Sequence, residues 1–177
     1  MSKIYFQGIF GAYSHLAALE IEPNAEIIPC KTFDECFFKA SSESDSRMII
    51  PESNRITGNI GIEYLIFKYR LNIYAEHFQK VEHNLLGQPG ASLSDIKDVF
   101  SHTQGLSQCS NFIKKNNLVE HIRADTAGSA EAISKKKIKS EAAIASLLSA
   151  KIYTLKVLAP NIENEKSNAT RFLIMGK

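Results

Sequence analysis

Short apolar runs and amphipathic stretches alternate along almost the whole chain, and this rhythm limits the architecture more than any other feature. Runs rich in β-branched or aromatic residues fall at 4–6, 26–29, 48–50, 98–101, 142–145 and 172–175, each of strand length. Between them, 13–21, 32–40, 59–69, 106–115, 126–136 and 146–153 read as amphipathic helices. Thr32 followed three residues later by Glu35 is a helix-start pattern. Parallel strands need crossover helices, so the alternation predicts an α/β fold with a largely parallel sheet. The 177 residues leave room for one domain or two small lobes sharing a core. The stretch 72–86 (NIYAEHFQKVEHNLL) reads as extended and breaks the rhythm, as expected where a chain crosses between lobes. The tail 162–177 ends in a strand able to return to the first lobe, and 41–46 (SSESDS) reads as a solvated loop.

Composition narrows the function classes. With 44% apolar and 23% charged residues the chain reads as a soluble globular protein. A net charge of +2 predicts no polyanion partner and suits a small anion held by a few local groups. The basic run Lys135, Lys136, Lys137 and Lys139 reads as a solvated helix end, not a nucleic-acid site. No apolar run is long enough to cross a membrane, and the opening MSKIYFQGIFGAYSH is unlike a signal peptide. Cys30, Cys36 and Cys109 form no CxxC pair, so reduced thiols in the cytoplasm are expected. No Cys/His cluster suggests a metal site, and His15, His77, His83, His102 and His121 are scattered without an obvious nucleophile beside them.

Ligands of α/β folds sit beyond the carboxyl ends of strands, which points to the turns 8–14, 51–58, 101–108 and 125–128. Tyr13 and Ser14 open one helix and Thr126 opens another, and such ends either attract anions or are simply capped. Ser101 and Gln108 lie seven apart, a spacing that allows both to reach one pocket; a helix cap and a surface amide are the alternative. Thr170 is equally a β-branched strand residue chosen for packing.

Four separated segments, in order, resemble the prephenate dehydratase family. FQGIFGAYSHLAA resembles its N-terminal signature, SHTQGLSQC its SHPQALxQC segment, DTAGSAE its third turn, and SNATRFLIM its closing N-x-TRF strand. HNLL and AAIAS…YTLKVLAPNIEN also fit in place, so the resemblance covers essentially all 177 residues. It implies a two-lobed α/β fold like type II periplasmic binding proteins with a ligand groove between the lobes. Lobe 1 would take about 1–75 and 160–177, and lobe 2 about 76–159. It implies a cofactor-free cytoplasmic lyase of phenylalanine biosynthesis, working as a homodimer on the dianion prephenate, with no membrane or nucleic-acid partner. Many members continue into a regulatory ACT domain; this sequence stops just after the TRF strand.

The resemblance also assigns residues. Thr170 falls on the family's catalytic threonine, with Asn54, Ser101 and Gln108 completing the catalytic set. Tyr13, Ser14, Thr126 and Arg171 are the substrate-binding candidates. Strand alternation puts Thr170 and Phe172 on one face and Arg171 on the other, so Arg171 is open to structural support as well as substrate contact. The chain departs from the family's PIENSxxG at PESNRITG. Pro51, Asn54 and Gly58 keep their places, but Glu52 and Ser53 replace Ile-Glu and Arg55 replaces serine. Arg55 either pairs with a carboxylate or points to solvent. Thr103 and Gly105 stand where proline and alanine are usual. Glu52 leaves an arogenate dehydratase, or an enzyme accepting both substrates, as one alternative, and the altered turn leaves a non-catalytic binding module of the same fold as another.

Overall fold

The computed structural model describes residues 2–177. Two compact units divide the chain: 2–9, 13–81 and 168–177 form the first, and 10–12 with 82–167 form the second. The crossings lie further along the chain than the expected positions near Ala75 and Pro160. The reason is a long strand that stays paired within the first unit up to Lys80.

In the first unit, β1 (Lys3–Gln7), β2 (Glu26–Cys30), β3 (Ser46–Asn54), β4 (Gly58–Asn59), β5 (Asn72–Lys80) and β11 (Ala169–Gly176) form one sheet. Its order is β2-β1-β3-β11-β5, with β4 paired to β3. Helices α1 (Tyr13–Ile21), α2 (Phe33–Ser42) and α3 (Glu63–Tyr69) complete the unit. The runs IYF and MII are apolar without alternation because both faces are covered. Tyr5, Met48 and Ile50 pack with Cys36 and Phe37 of α2, whereas Phe6 stacks on His15 of α1 at 5.4 Å. Phe6, Phe37 and Phe172 are fully buried, worth roughly 1.5–3 kcal/mol each. Thr32 caps α2, its hydroxyl accepting from the Glu35 N–H at 3.1 Å as the sequence pattern predicts.

The second unit has a five-stranded sheet of order β10-β6-β9-β7-β8. Its strands are β6 (Asn84–Gly87), β7 (Asp98–Ser101), β8 (Val119–Ile122), β9 (Glu141–Ala145) and β10 (Lys156–Ala159). Its helices are α4 (Thr103–Gln108), α5 (Ser110–Lys115), α6 (Thr126–Lys136) and α7 (Leu147–Ile152). Central β9 sends Ala142 and Ile144 into one cluster with Leu106 and Ile113, and Ala143 and Ala145 into another with Ala130 and Ile133. Small residues in β9 let helices approach from both sides.

The sheets are mixed, not largely parallel. β1 pairs in parallel with β2 and β3, and β7 with β8 and β9. The remaining pairings, of β3 with β4, β11 with β3 and β5, and β6 with β9 and β10, are antiparallel. β11 beside β3 and β6 beside β9 each follow a crossing between units, not a crossover helix, and β4 follows β3 through a short turn. Two helices are shorter than expected. The stretch 59–69 is helical only from Glu63, because Gly58 and Asn59 pair with β3. The stretch 106–115 breaks at Cys109, whose backbone (φ −113°, ψ 15°) is not helical. There Asn164 replaces the helical bonds: its N–H donates to Gln108 O at 2.7 Å, and its Oδ1 accepts from Asn111 N at 3.1 Å. Edge strands β8 and β10 carry no clear alternation and escape the sequence reading.

Within the second unit, the carbonyl of Gly11 accepts from Ser146 Oγ at 2.6 Å and Ser149 Oγ at 3.0 Å. Gly11 has φ +96°, and a Cβ there would lie 2.5 Å from Ser149 Oγ. Gly11→Ala is therefore expected to destabilise the protein by about 1–3 kcal/mol, read from urea denaturation; an unchanged midpoint would refute the tight fit.

Candidate active site

Two groups of polar side chains stand out, one in each unit. In the first unit the antiparallel register sets Thr170 opposite Asn54. Asn54 Nδ2 donates to Thr170 Oγ1 at 2.9 Å and to Ala169 O at 3.2 Å. The Asn54 carbonyl accepts from the N–H groups of Ile56 and Thr57 at 2.9 and 3.2 Å. This amide is thus fixed at both ends: its oxygen holds the PESNRITG turn and its nitrogen holds the threonine. Because Asn54 donates, Thr170 accepts with a lone pair and keeps its own O–H as a donor. Thr170 is 9% exposed. The N–H groups of Asn54 thus serve Thr170 and Ala169.

Arg171 faces the other way. Its Nε donates to Glu76 at 2.7 Å and its Nη1 to Glu52 at 3.3 Å. Glu52 also accepts from Ser53 Oγ at 2.5 Å. A pocket of about 420 Å³ on this side is lined by Glu52, Glu63, Glu76 and Arg171, and includes neither Thr170 nor Asn54. Two carboxylates already neutralise the guanidinium, so it offers a dianion no net attraction. Of the two roles open to Arg171, structural support is the one its contacts fit. Arg55 is exposed, and its backbone N–H donates to Ala169 O at 2.9 Å.

In the second unit, Ser101 and Gln108 engage different partners. Ser101 is fully buried and its hydroxyl donates to Ile144 O at 2.7 Å, joining β7 to β9. A Cβ at Gly105 would lie 2.6 Å from Ser101 Oγ, so glycine where alanine is usual keeps this inward rotamer open. Ser101 therefore holds the sheet together and does not cap α4; His102 does that, its Nδ1 accepting from the Gln104 N–H. Gln108 is half-buried, with Oε1 2.8 Å from His83 Nε2. The helix ends expected to attract anions differ. Thr126 opens α6, but the carboxylate of Asp125 already accepts from Gly128 N at 2.5 Å there, so a second anion meets repulsion. Tyr13 and the buried Ser14 begin α1 as expected.

His83, Glu163 and Asn164 lack a role in the sequence reading, although HNLL and APNIEN carry them. His83 is 3% exposed and Glu163 5%. The His83 N–H donates to Glu163 Oε2 at 2.9 Å, and Lys166 Nζ lies 2.9 Å from Glu163 Oε1. Burial pushes the Glu163 carboxyl up, but these donors outweigh it and hold the group below its ordinary 4.5. Burial also lowers the His83 imidazole below its ordinary 6.5, with contacts to Gln108 and Glu163 only partly offsetting it. Among the described residues, no group of three His, Cys, Asp or Glu side chains is placed to hold a metal ion. No helix among the described residues is long and apolar enough to cross a membrane.

Comparison with known proteins first defines the fold class. A solved putative methionine-binding lipoprotein from Bacillus subtilis superposes with a TM-score of 0.51 at 10% identity, over 99% of this chain and 83% of its own. That places the α/β units in the periplasmic-binding-protein fold. The family model described as prephenate dehydratase matches residues 4–177. The chain belongs to the prephenate dehydratase family. It is 42% identical to "Arogenate dehydratase/prephenate dehydratase 1, chloroplastic" from Arabidopsis thaliana, over 99% of this chain and 45% of that protein. A solved structure described as GqqA, a novel type of quorum quenching acylase, matches at a TM-score of 0.92 and 34% identity, covering 99% and 64%. The chain thus spans less than half the length of that plant relative.

Both depressed groups have the same consequence for stability. The unfolded chain binds more protons, so their stabilisation is present above the ordinary pKa and lost as pH falls. Urea midpoints are expected to decline as pH drops below 6.5 for His83 and again below 4.5 for Glu163. Glu163→Gln should flatten the second decline; an unchanged profile would remove Glu163 from the acid response.

Proposed function

We propose that this chain catalyses the decarboxylating dehydration of prephenate to phenylpyruvate, carbon dioxide and water. The observation that carries the reading is the Asn54–Thr170 bond, whose direction leaves a buried hydroxyl able to donate. The ring carboxylate leaves as carbon dioxide, and the electron pair of its C–C bond enters the ring. The ring C–O bond breaks, its pair departs with hydroxide, and protonation gives water. Aromatisation drives the step, so a positioned hydroxyl donor stabilising the departing oxygen suffices without a strong acid. Thr170 supplies that donor and Asn54 positions it. The family resemblance adds Gln108 as a group contacting the substrate. It also supports a homodimer in the cytoplasm as part of the same proposal.

Arogenate is the second reading, since it carries an ammonium where prephenate has a keto group. Glu52 is the nearby acid in sequence, but it is already shared by Arg171 and Ser53. That favours the keto acid, because binding an ammonium at Glu52 would mean breaking an existing ion pair.

Purified protein incubated with prephenate at neutral pH is expected to release phenylpyruvate, with a smaller kcat/KM for arogenate. Thr170→Ala should lower kcat by about 10²-fold, the scale of one lost positioned donor. Asn54→Asp should match it, because a carboxylate would turn the threonine O–H toward itself. Full activity in Thr170→Ala would remove that residue from the mechanism. No turnover of either substrate would leave a binding module of the same fold.

A further inference from the structure

We propose that Gln79 is a specificity-determining residue whose side-chain amide offers an N–H beside Thr170, favouring a substrate keto oxygen over an ammonium at the same carbon. The inference deepens the proposed function and rests on its assignment of Thr170. Gln79 is the direct cross-strand partner of Thr170 in the pairing of β5 with β11, so both side chains leave the same face of the sheet. Opposed side chains on one face start about 5 Å apart at Cβ, close enough for one substrate to meet both. Gln79 is 6% exposed, and an amide is costly to bury unless its hydrogen bonds are made or a ligand completes them.

Two neighbours fix which end of the amide points where. The Lys80 carbonyl only accepts, and it lies 3.4 Å from Gln79 Nε2. His77 Nε2 lies 3.3 Å from Gln79 Oε1 and 3.3 Å from Glu20 Oε2. The Glu20 carboxylate also only accepts, so it places a hydrogen on His77 Nε2, and that hydrogen suits the amide oxygen. Lys80 and His77 therefore select the same flip, with the nitrogen toward one and the oxygen toward the other. The amide nitrogen carries two hydrogens, and Lys80 takes one. The second is a donor for a ligand on the Thr170 face, where the threonine O–H is a donor too. A surface of donors calls for a substrate that brings acceptors. Prephenate has a keto oxygen where arogenate has an ammonium, which carries hydrogens and no lone pair. Arogenate in this position sets N–H against N–H, a mismatch of the kind that polar sites reject strongly.

The test compares kcat/KM for prephenate with that for arogenate in wild type, Gln79→Leu, Gln79→Glu and His77→Phe. Gln79→Leu removes the donor at similar volume and is expected to lower the prephenate-to-arogenate ratio about tenfold. The change should lie in KM for prephenate, with kcat kept within about twofold, because the keto carbon does not react. Gln79→Glu replaces the donor with a group that only accepts and should move the ratio further toward arogenate. His77→Phe lets the amide turn and should lower the ratio about twofold, but change it little when made in the Gln79→Leu background. An unchanged ratio in Gln79→Leu, or a loss falling equally on both substrates, would overturn the proposal, since a packing role treats the two alike. A wild type that turns over neither substrate would refute the proposed function instead. The ratio of prephenate and arogenate dissociation constants, measured by calorimetry across the same variants, then decides the role of Gln79 in the same way, and no binding of either overturns it.

Discussion

The antiparallel pairing of β3 with β11 is the contact on which the first unit and its candidate chemistry both depend. It places Thr170 opposite Asn54, residues far apart along the chain, and their side chains meet at 2.9 Å without a loop to deliver them. Sheet register is a stiff way to hold a side chain. A slip of one residue would turn Thr170 to the face that Arg171 occupies, beside Glu52 and Glu76. The buried stretch from Phe172 to Met175 opposes that slip, because it would exchange Phe172 and Ile174 with Leu173 and Met175 between two packed faces and break the core contacts of Leu173 and Met175. Packing along one end of β11 thus fixes the Asn54–Thr170 contact at its other end.

The second unit uses a different device for the same purpose. Helix α4 stops at Gln108 because Asn164 takes over the hydrogen bonds that would have continued it. The break takes one residue, Cys109, out of the helix and leaves the side chain of Gln108 at a defined terminus next to a buried imidazole. Ser101, the neighbouring candidate, contributes to the frame instead: its hydroxyl closes β7 onto β9.

Much of this was legible in the residues. The strands of the two sheet interiors announce themselves as apolar runs, and 13–21 and 126–136 match α1 and α6 end to end. Thr32 capping α2 is local chemistry that three residues suffice to specify. The mixed strand directions were not legible, because antiparallel neighbours such as β11 and β5 meet through chain crossings that leave no periodic trace. Side-chain partners were harder still. Thr170 and Asn54 could be named from the resemblance, but the direction of their bond is set by the turn that fixes the Asn54 carbonyl. His83 looked like one scattered histidine among five. Its partner lies in another element, and only the fold brings the two together.

The position of β11 inside its sheet has a bearing on how the polypeptide matures. It inserts between β3 and β5, although both are synthesised well before it. Until it arrives, two long strands carry open edges, and β5 has no partner at all. The second unit, nearly continuous from 82 to 167, is complete by then and can collapse by itself on the ribosome. The nascent protein therefore passes through a stage in which one half is settled and the other is a sheet waiting for its middle strand. That interval is when chaperone capture or mispairing with a neighbouring chain has its best opportunity.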